Sequence, residues 1–488
     1  MYMNNRRFYR FYRFYYPLRV TYILVFMRVR KISLKLGPFM AGEKMQKWLD
    51  THPDVSSVRP VIWDLNGIMR GKLLPRKMAD KAFKGELKLP LSSLGVDIWG
   101  NDADESGQVL ETGDVDGFCV PTGRGPFTID WLDNSSSLLP LWMFKSDNTP
   151  FGACPRQVLN SVVDRFAEIG LTPVCASELE FYLYVRDNDA IKAPERLGGN
   201  DVVPASAMYS LADIDEMDGF IADVYAACEA WDIPADAAIS EFGVGQMEIN
   251  LNHVADPLKA ADDAVLFKYL IKGIAKKHGL GATFMAKPYG KQSGSGMHFH
   301  FSILNEKGEN IFDNGQDEGS KLLHHCVAGL LETIGEFMSI FVPHYNSYRR
   351  IRPGTHAPTN IAWGYDNRTT PVRIPSGPNH SRRIEHRIAG ADANPYLVMA
   401  AILGGALYGL ENKLTPPEPV SGDAYDMDLP SIPLDWRSAI DAMVDGTHAE
   451  RLFGDLFCKM YIAAKNQEYD QFMQAVTRIE YETYLESV

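Results

Sequence analysis

Cysteine is scarce in the chain and never closely paired. Cys119, Cys154, Cys175, Cys228, Cys326 and Cys458 are scattered, and no Cys-x-x-Cys occurs. That excludes a disulfide framework and a thiolate zinc site, and it suits a reducing compartment such as the cytoplasm. Positive charge is also short. With 49 Lys and Arg against 62 Asp and Glu, the net charge is -13, which argues against nucleic acid or an anionic membrane as the main partner. The apolar run Thr21–Met27 is far too short to span a bilayer and is flanked by arginines. No Gly-x-x-x-x-Gly-Lys-Ser/Thr is present, so a nucleotide would have to be held without a P-loop. No fixed-period repeat is visible.

Acidic residues are wholly missing from residues 1–42, which are crowded with Arg, Tyr and Phe. This segment also lacks the uninterrupted apolar core and small-residue cleavage site of a leader. We read it as a disordered or non-native extension, with Met40 or Met45 as the functional start, and set it apart from the fold.

What remains is long enough for two domains. Residues 43–147 hold short apolar runs broken by Gly and Pro and read as a small, mostly β unit. In it, Val58–Gly67 runs into an Asn-Gly turn with Ile68–Leu74 as its partner strand. Turn residues cluster over Asn148–Pro155 and mark a boundary. Pro155 opens a helix whose apolar stripe is Val158, Leu159, Val162, Val163 and Phe166, ended by Gly170. Strands and helices then alternate through residues 148–488, an α+β arrangement. Asn394–Leu410, apolar nearly all round and rich in glycine, reads as a buried core helix.

The chemistry lies in four strands. In Cys175–Tyr184, alternation puts Glu178, Glu180, Tyr182 and Tyr184 on one face and Leu179, Phe181 and Leu183 on the other. Alone, the pair of glutamates is better read as a wet sheet face. The design repeats, however. Gly245–Asn252 presents Gln246, Glu248, Asn250 and Asn252, with Glu241 on a loop just upstream. Gly294–Ile303 presents His298, His300 and Ser302, and Arg382–Ile388 presents Arg383, Glu385 and Arg387. Together they read as the walls of a polar funnel that gathers Glu178, Glu180, Glu241, Glu248, His298 and Glu385. Such a cluster requires cations, and oxygen-rich ligation with one imidazole suits two or more Mg²⁺ or Mn²⁺ ions. Arginines in Tyr348–Gly354, Asn367–Arg373 and Arg382–Arg387 match phosphate and carboxylate oxygens. Paired ions beside arginines imply a polyphosphate and a second anion, hence phosphoryl transfer.

These residues resemble the glutamine synthetase family, in order along nearly everything after residue 45. The motifs are Asp64-Leu-Asn-Gly, Glu178-Leu-Glu, Gly245-Gln-Met-Glu, Gly294-Ser-Gly-Met-His, Asn346-Ser-Tyr-Arg-Arg, Asn367-Arg-Thr, Arg383-Ile-Glu and Asn394-Pro-Tyr. The resemblance implies a β-grasp N-terminal domain, a catalytic domain shaped as an open antiparallel β funnel flanked by helices, and a homo-oligomer, a dodecamer of two stacked rings with sites at subunit boundaries. It implies one metal on Glu180, Glu241 and Glu248 and another on Glu178, His298 and Glu385. Arg350 and Arg387, with the Gly294 backbone, would grip the α-carboxylate of glutamate. His300, Ser302, Arg368, Arg373 and Arg383 would contact ATP. ATP would phosphorylate the glutamate side chain, and a nitrogen nucleophile would then form the amide.

Departures from the family pattern bear on that nucleophile. Ammonia users carry a Pro-Gly-x-Glu flap after Arg350; here the run is Arg352-Pro-Gly-Thr-His-Ala-Pro358, with His356 in the acid's place. Leu89-Pro-Leu-Ser-Ser93 stands where they carry Asp-Gly-Ser-Ser, and Ser293 replaces an Asn. Two acids that would hold ammonium are gone, while imidazole can still take a proton from an amine. Leu89 and Leu91 are expected to make the entrance apolar. The expected activity is therefore glutamate–amine ligation, with a polyamine such as putrescine or an alkylamine as acceptor. A glutamine synthetase using ammonia is the alternative. A catalytically silent relative is disfavoured by the complete acid set.

Overall fold

The structure is a computed structural model and describes residues 44–187, 190–194 and 208–488. The basic, aromatic segment 1–42 lies outside the described residues, so its reading is not examined by the fold.

The first sheet is built from β1 (Ser57–Trp63), β2 (Met69–Gly71), β3 (Leu74–Pro75), β4 (Leu87–Pro90), β5 (Asp116–Pro121), β6 (Phe127–Thr128) and β7 (Ser136–Phe144). Its order is β2-β1-β7-β5-β4, with β3 beside β1 and β6 beside β7; β1 and β7 run parallel and the other pairs antiparallel. The β1–β2 connection is wider than an Asn-Gly hairpin, because Trp63 pairs with Met69 and residues 64–68 form the loop. Asp64 closes that loop, accepting from the Ile68 amide at 2.8 Å, and Gly67 sits at φ 73.

The second sheet contains β8 (Thr172–Asp187), β9 (Ala190–Lys192), β10 (Ala235–Ser240), β11 (Gln246–Val254), β12 (Gly281–Thr283), β13 (Met297–Leu304), β14 (Trp363–Tyr365), β15 (Val372–Ile374) and β16 (Ile384–His386). The order is β10-β11-β8-β13-β16-β15-β14, with β9 and β12 also on β8. It is the open antiparallel sheet expected, with one parallel pair at its end, β14 and β15.

Helices pack behind this sheet. Three of them, Pro155–Glu168, Pro257–Lys277 and Pro395–Asn412, begin with proline at their first turn, where the missing N–H costs nothing. Asp256 and Asn394 cap the latter two by accepting backbone amides. As expected, Pro395–Asn412 is core, buried along nearly its whole length. Its glycines have a packing reason. A Cβ on Gly409 would stand 2.0 Å from the His325 carbonyl oxygen, and one on Gly329 would stand 2.2 Å from that of Gly405, so this helix and Lys321–Thr333 cross backbone to backbone. No helix among the described residues is long and apolar enough to cross a membrane.

Polar clasps help join the first sheet to the rest. Asn394 donates to the Asp64 carbonyl at 3.0 Å, and Asn66 donates to Glu468 at 2.8 Å. Lys465, fully buried, lies 2.8 Å from Glu468 and donates to Asn66 at 2.5 Å.

Candidate active site

Strand register assembles the site. Glu178 on β8 lies opposite Asn250 on β11 and His298 on β13, and Glu180 lies opposite Glu248. On β13, His300 faces Glu385 of β16, which in turn faces Arg373 of β15. Five neighbouring strands thus deliver carboxylates, imidazoles and a guanidinium to one face, while Leu179, Phe181, Met247, Ile249, Phe299 and Phe301 are buried on the other. Among the described residues, two groups come close enough to hold an ion: Glu178, His298 and Glu385, and Glu180, Glu248 and His298. The first is the set expected for one metal. The second differs from expectation, because His298 rather than Glu241 completes it. Glu241 sits on the loop after β10, half-buried, and acts on Glu180 and Glu248 through its charge.

The acids divide electrostatically. Burial, reinforced by repulsion from Glu180, Glu178 and Glu241, pushes Glu248 up to about 9. Burial also pushes Glu180 up to about 7, against the pull of Arg350 and with repulsion from Glu241. Glu241 is raised for the same first reason. Glu178 goes the other way despite its burial, because His298 (Nδ1, 3.2 Å) and His300 (Nε2, 2.8 Å) hold it far below the carboxylate range. Glu385 is buried yet stays at about 2, beside Arg387 and with Arg373 Nη1 at 2.7 Å. Burial and the Arg387 charge lower His298 to about 4, leaving a neutral imidazole with a lone pair to offer. The Asn250 Oδ1, across from Glu178, is buried without a partner. Oxygen donors that repel one another, one neutral imidazole and an orphaned carbonyl fit hard divalent cations.

The arginines are held in different ways. Arg350 is buried and donates to the carbonyls of Ile388 (2.7 Å) and Arg387 (3.3 Å). It can lie there only because residues 294 and 296 are glycines; a Cβ on Gly294 would stand 2.7 Å from its Cγ and one on Gly296 2.6 Å from its Nη2. Arg387 pairs with Glu385 and keeps a buried Nε without a partner. Arg373 spans Glu385 and Asp366. Arg383 donates to His300 at 3.3 Å, and Arg368 is exposed with its charge acting on Glu241 and Glu248.

A cleft of about 690 Å³ opens beside Glu178, lined by Asn250, His253, His300, Ser302 and Arg383. Of the residues expected to meet ATP, His300, Ser302 and Arg383 share that cleft, whereas Arg368 and Arg373 are not in its lining. His356 is exposed on the flap at φ 56, a left-handed conformation. Leu89 and Leu91 correct an expectation. Both are buried in the core of the first sheet, Leu89 on the inward face of β4 and Leu91 on the turn Leu91–Leu94 that follows, and they form no apolar entrance in this chain.

Sequence reasoning missed how Gln246 organises the second carboxylate group. Its amide nitrogen donates to Glu180 (3.1 Å) and to the Gly294 carbonyl (3.0 Å), while its oxygen accepts from Tyr182 (3.1 Å) and the Gly243 amide (3.1 Å). The Ser293 carbonyl, 2.8 Å from the Tyr182 hydroxyl, shares that single proton with Gln246, so β8, β11 and the Gly294 loop are drawn together around Glu180. The signal was present in the alternation of β11, where Gln246 shares the face of Glu248.

Comparison with known proteins gives the same answer. Residues 152–484 match the model of the family described as glutamine synthetase, catalytic domain. The chain is 39% identical over 449 residues to the gamma-glutamylputrescine synthetase PuuA of Escherichia coli (strain K12), covering 91% of this chain and 95% of that one. It is 31% identical over 457 residues to the glutamate–isopropylamine ligase of a Pseudomonas species, covering 91% and 98%. The solved structure of a GmaS/ADP complex superposes with a TM-score of 0.78 at 26% identity, covering 90% of this chain and 98% of that one. Fold, site and relatives agree on a class, the ATP-dependent carbon–nitrogen ligases. Within it, the chain belongs to the glutamine synthetase family.

Proposed function

We propose that the protein joins glutamate to an amine, a polyamine such as putrescine or an alkylamine, through a γ-glutamyl phosphate formed from ATP. The observation that carries this reading is the flap, where His356 stands in place of an acid, in a chain most of whose length is shared with ligases named for amines. Without that acid the nitrogen is not selected as ammonium.

In this reading Glu178, His298 and Glu385 hold one divalent cation, Mg²⁺ or Mn²⁺, and Glu180 and Glu248 hold a second with His298 or Glu241. The cations supply charge neutralisation for the polyphosphate and the carboxylates. The residues of the chain do the rest. Arg350 and the free Nε of Arg387 take the α-carboxylate beside the Gly294 backbone. His300, Ser302 and Arg383 orient the nucleotide in the cleft. Arg373 holds Glu385 in place, and Arg368 approaches from the rim to offset charge on the transferring phosphoryl group. The glutamate γ-carboxylate attacks the γ-phosphorus and ADP leaves. The amine nitrogen then attacks the acyl carbon, phosphate leaves, and His356 takes the surplus proton.

The same proposal keeps residues 43–147 as a β-grasp unit, residues 148–488 as the catalytic unit, and a cytoplasmic dodecamer of two stacked rings; the last rests on family resemblance and is tested by measuring the particle mass. The activity is tested by ADP release with glutamate, Mg²⁺ and a panel of amines beside ammonia. We expect an amine to be the best acceptor; ammonia as the best acceptor overturns the reading. His356→Glu is expected to raise the ammonia-to-amine ratio of kcat/KM by about tenfold.

A further inference from the structure

The flap after Arg350 is a short exposed bridge between buried ends. Ile351 and Ala357 are buried, residues 352–356 are exposed, and both Gly354 and His356 are left-handed. A non-glycine residue does not keep that conformation unless its surroundings hold it. Two hydroxyls do so. From inside the flap, the Thr355 hydroxyl lies within hydrogen-bond reach of the carbonyls of Arg350 (2.9 Å) and Arg352 (2.7 Å), which share its single proton. From outside, Tyr425 donates to the Ala357 carbonyl at 2.9 Å.

Tyr425 is itself well anchored, on a strap formed by residues 420–432. The Val420 amide donates to Trp363 at 2.8 Å, and Asn367 donates to Val420 (3.2 Å) and Gly422 (2.8 Å). The Ala424 amide donates to Thr369 at 3.0 Å, and Asn360 donates to Ala424 at 2.6 Å. The turn that carries Arg368 therefore also carries the strap. The half-buried phenol stands within electrostatic reach of Arg350 and Arg387, whose charges oppose the upward push of its burial.

We propose that Tyr425 is a positioning residue for the acceptor nitrogen: its hydroxyl fixes the Ala357 carbonyl, and with it His356, so that the amine end of the site is formed and closed to water. This rests on the amine-ligase reading above and deepens it. When the tether is cut, water competes for the acyl phosphate; its oxygen takes the acyl carbon, phosphate leaves, one proton is released, and glutamate returns without amide.

The test is Tyr425→Phe in the full chain, with putrescine as the probe amine and ADP and amide both quantified. KM for the amine is expected to rise about tenfold, the worth of one hydroxyl contact, while KM for ATP and glutamate stay within about twofold. ADP formed per amide should rise above one. Thr355→Val, which cuts the inner brace, should give the same signature, and hydrogen exchange at residues 352–358 should quicken in both. An unchanged amine KM with one ADP per amide overturns the proposal, as does an equal loss for all three substrates. Should wild type prefer ammonia, the amine reading falls, and ADP per amide with ammonia as acceptor still decides the role of Tyr425.

Discussion

The molecule buries carboxylates in two places and treats them oppositely. At the clasp between the first sheet and the C-terminal helix Asp455–Gln474, Glu468 is fully buried, but Lys465 lies 2.8 Å away and Asn66 donates to it. Against burial, Lys465 and His344 hold it at about 2. In the second sheet, Glu248 is as well buried and its closest charged neighbours are other carboxylates, so it rises to about 9. The first cluster carries its own counterion and is finished when the chain folds. The second is unfinished in charge, and that deficit is the mark of a site which takes its cations from solution.

The largest effect that sharpens this contrast is expected at Glu248. Glu248→Gln should cost more than about a hundredfold in Mg²⁺ affinity, beyond what outer contacts cost, and abolish turnover. In the same variant the metal-free protein should melt higher near neutral pH, because a carboxyl that folding must keep protonated has gone. A lower melting temperature would mean that Glu248 has a partner within the chain, and the contrast would fail. Lys465→Met should do the reverse, lowering stability by about 3–5 kcal/mol through an unpaired Glu468, with metal affinity unchanged. Denaturant unfolding and metal titration of both variants check the pair.

A gentler discrimination comes from pH. Glu180 and Glu248 have folded values raised to about 7 and about 9, above the unfolded 4.5, so the unfolded chain gives up its protons first. Metal-free stability should therefore fall as pH rises from about 4.5 to 9. Mg²⁺ should cancel that fall and release protons on binding near pH 7, measurable by calorimetry in buffers of different ionisation heat. Glu468, depressed to about 2, contributes stability that is present above 4.5 and lost as pH drops toward 2, with or without metal.

Much of the site was legible because strand alternation is local. Glu178 and Glu180 on one face, His298 and His300 on another strand, and the helix beginning at Pro155 all follow from periodicity and caps. What failed was whatever depends on pairing across the chain. Residue spacing does not reveal that Glu180 faces Glu248 and Glu178 faces His298; the two metal sets came from the family resemblance alone. The ion pairs of Arg373 with Asp366 and Glu385 were likewise not visible in the sequence. Leu89 and Leu91 were expected at an entrance because a motif's place in the chain gives no side-chain direction, and β4 and the turn after it point them into a core. Tyr425 was invisible, since its one telling contact spans 68 positions.

Glu178 and Glu180 of β8 are second neighbours on one extended backbone, so the interval between them is the pitch of a pleat, about 6.5 Å, and owes nothing to rotamer choice. The strand acts as a ruler between two strands that read its marks. An inserted residue between Glu178 and Glu180 would turn one mark to the greasy side, and no adjustment of side chains could bring it back.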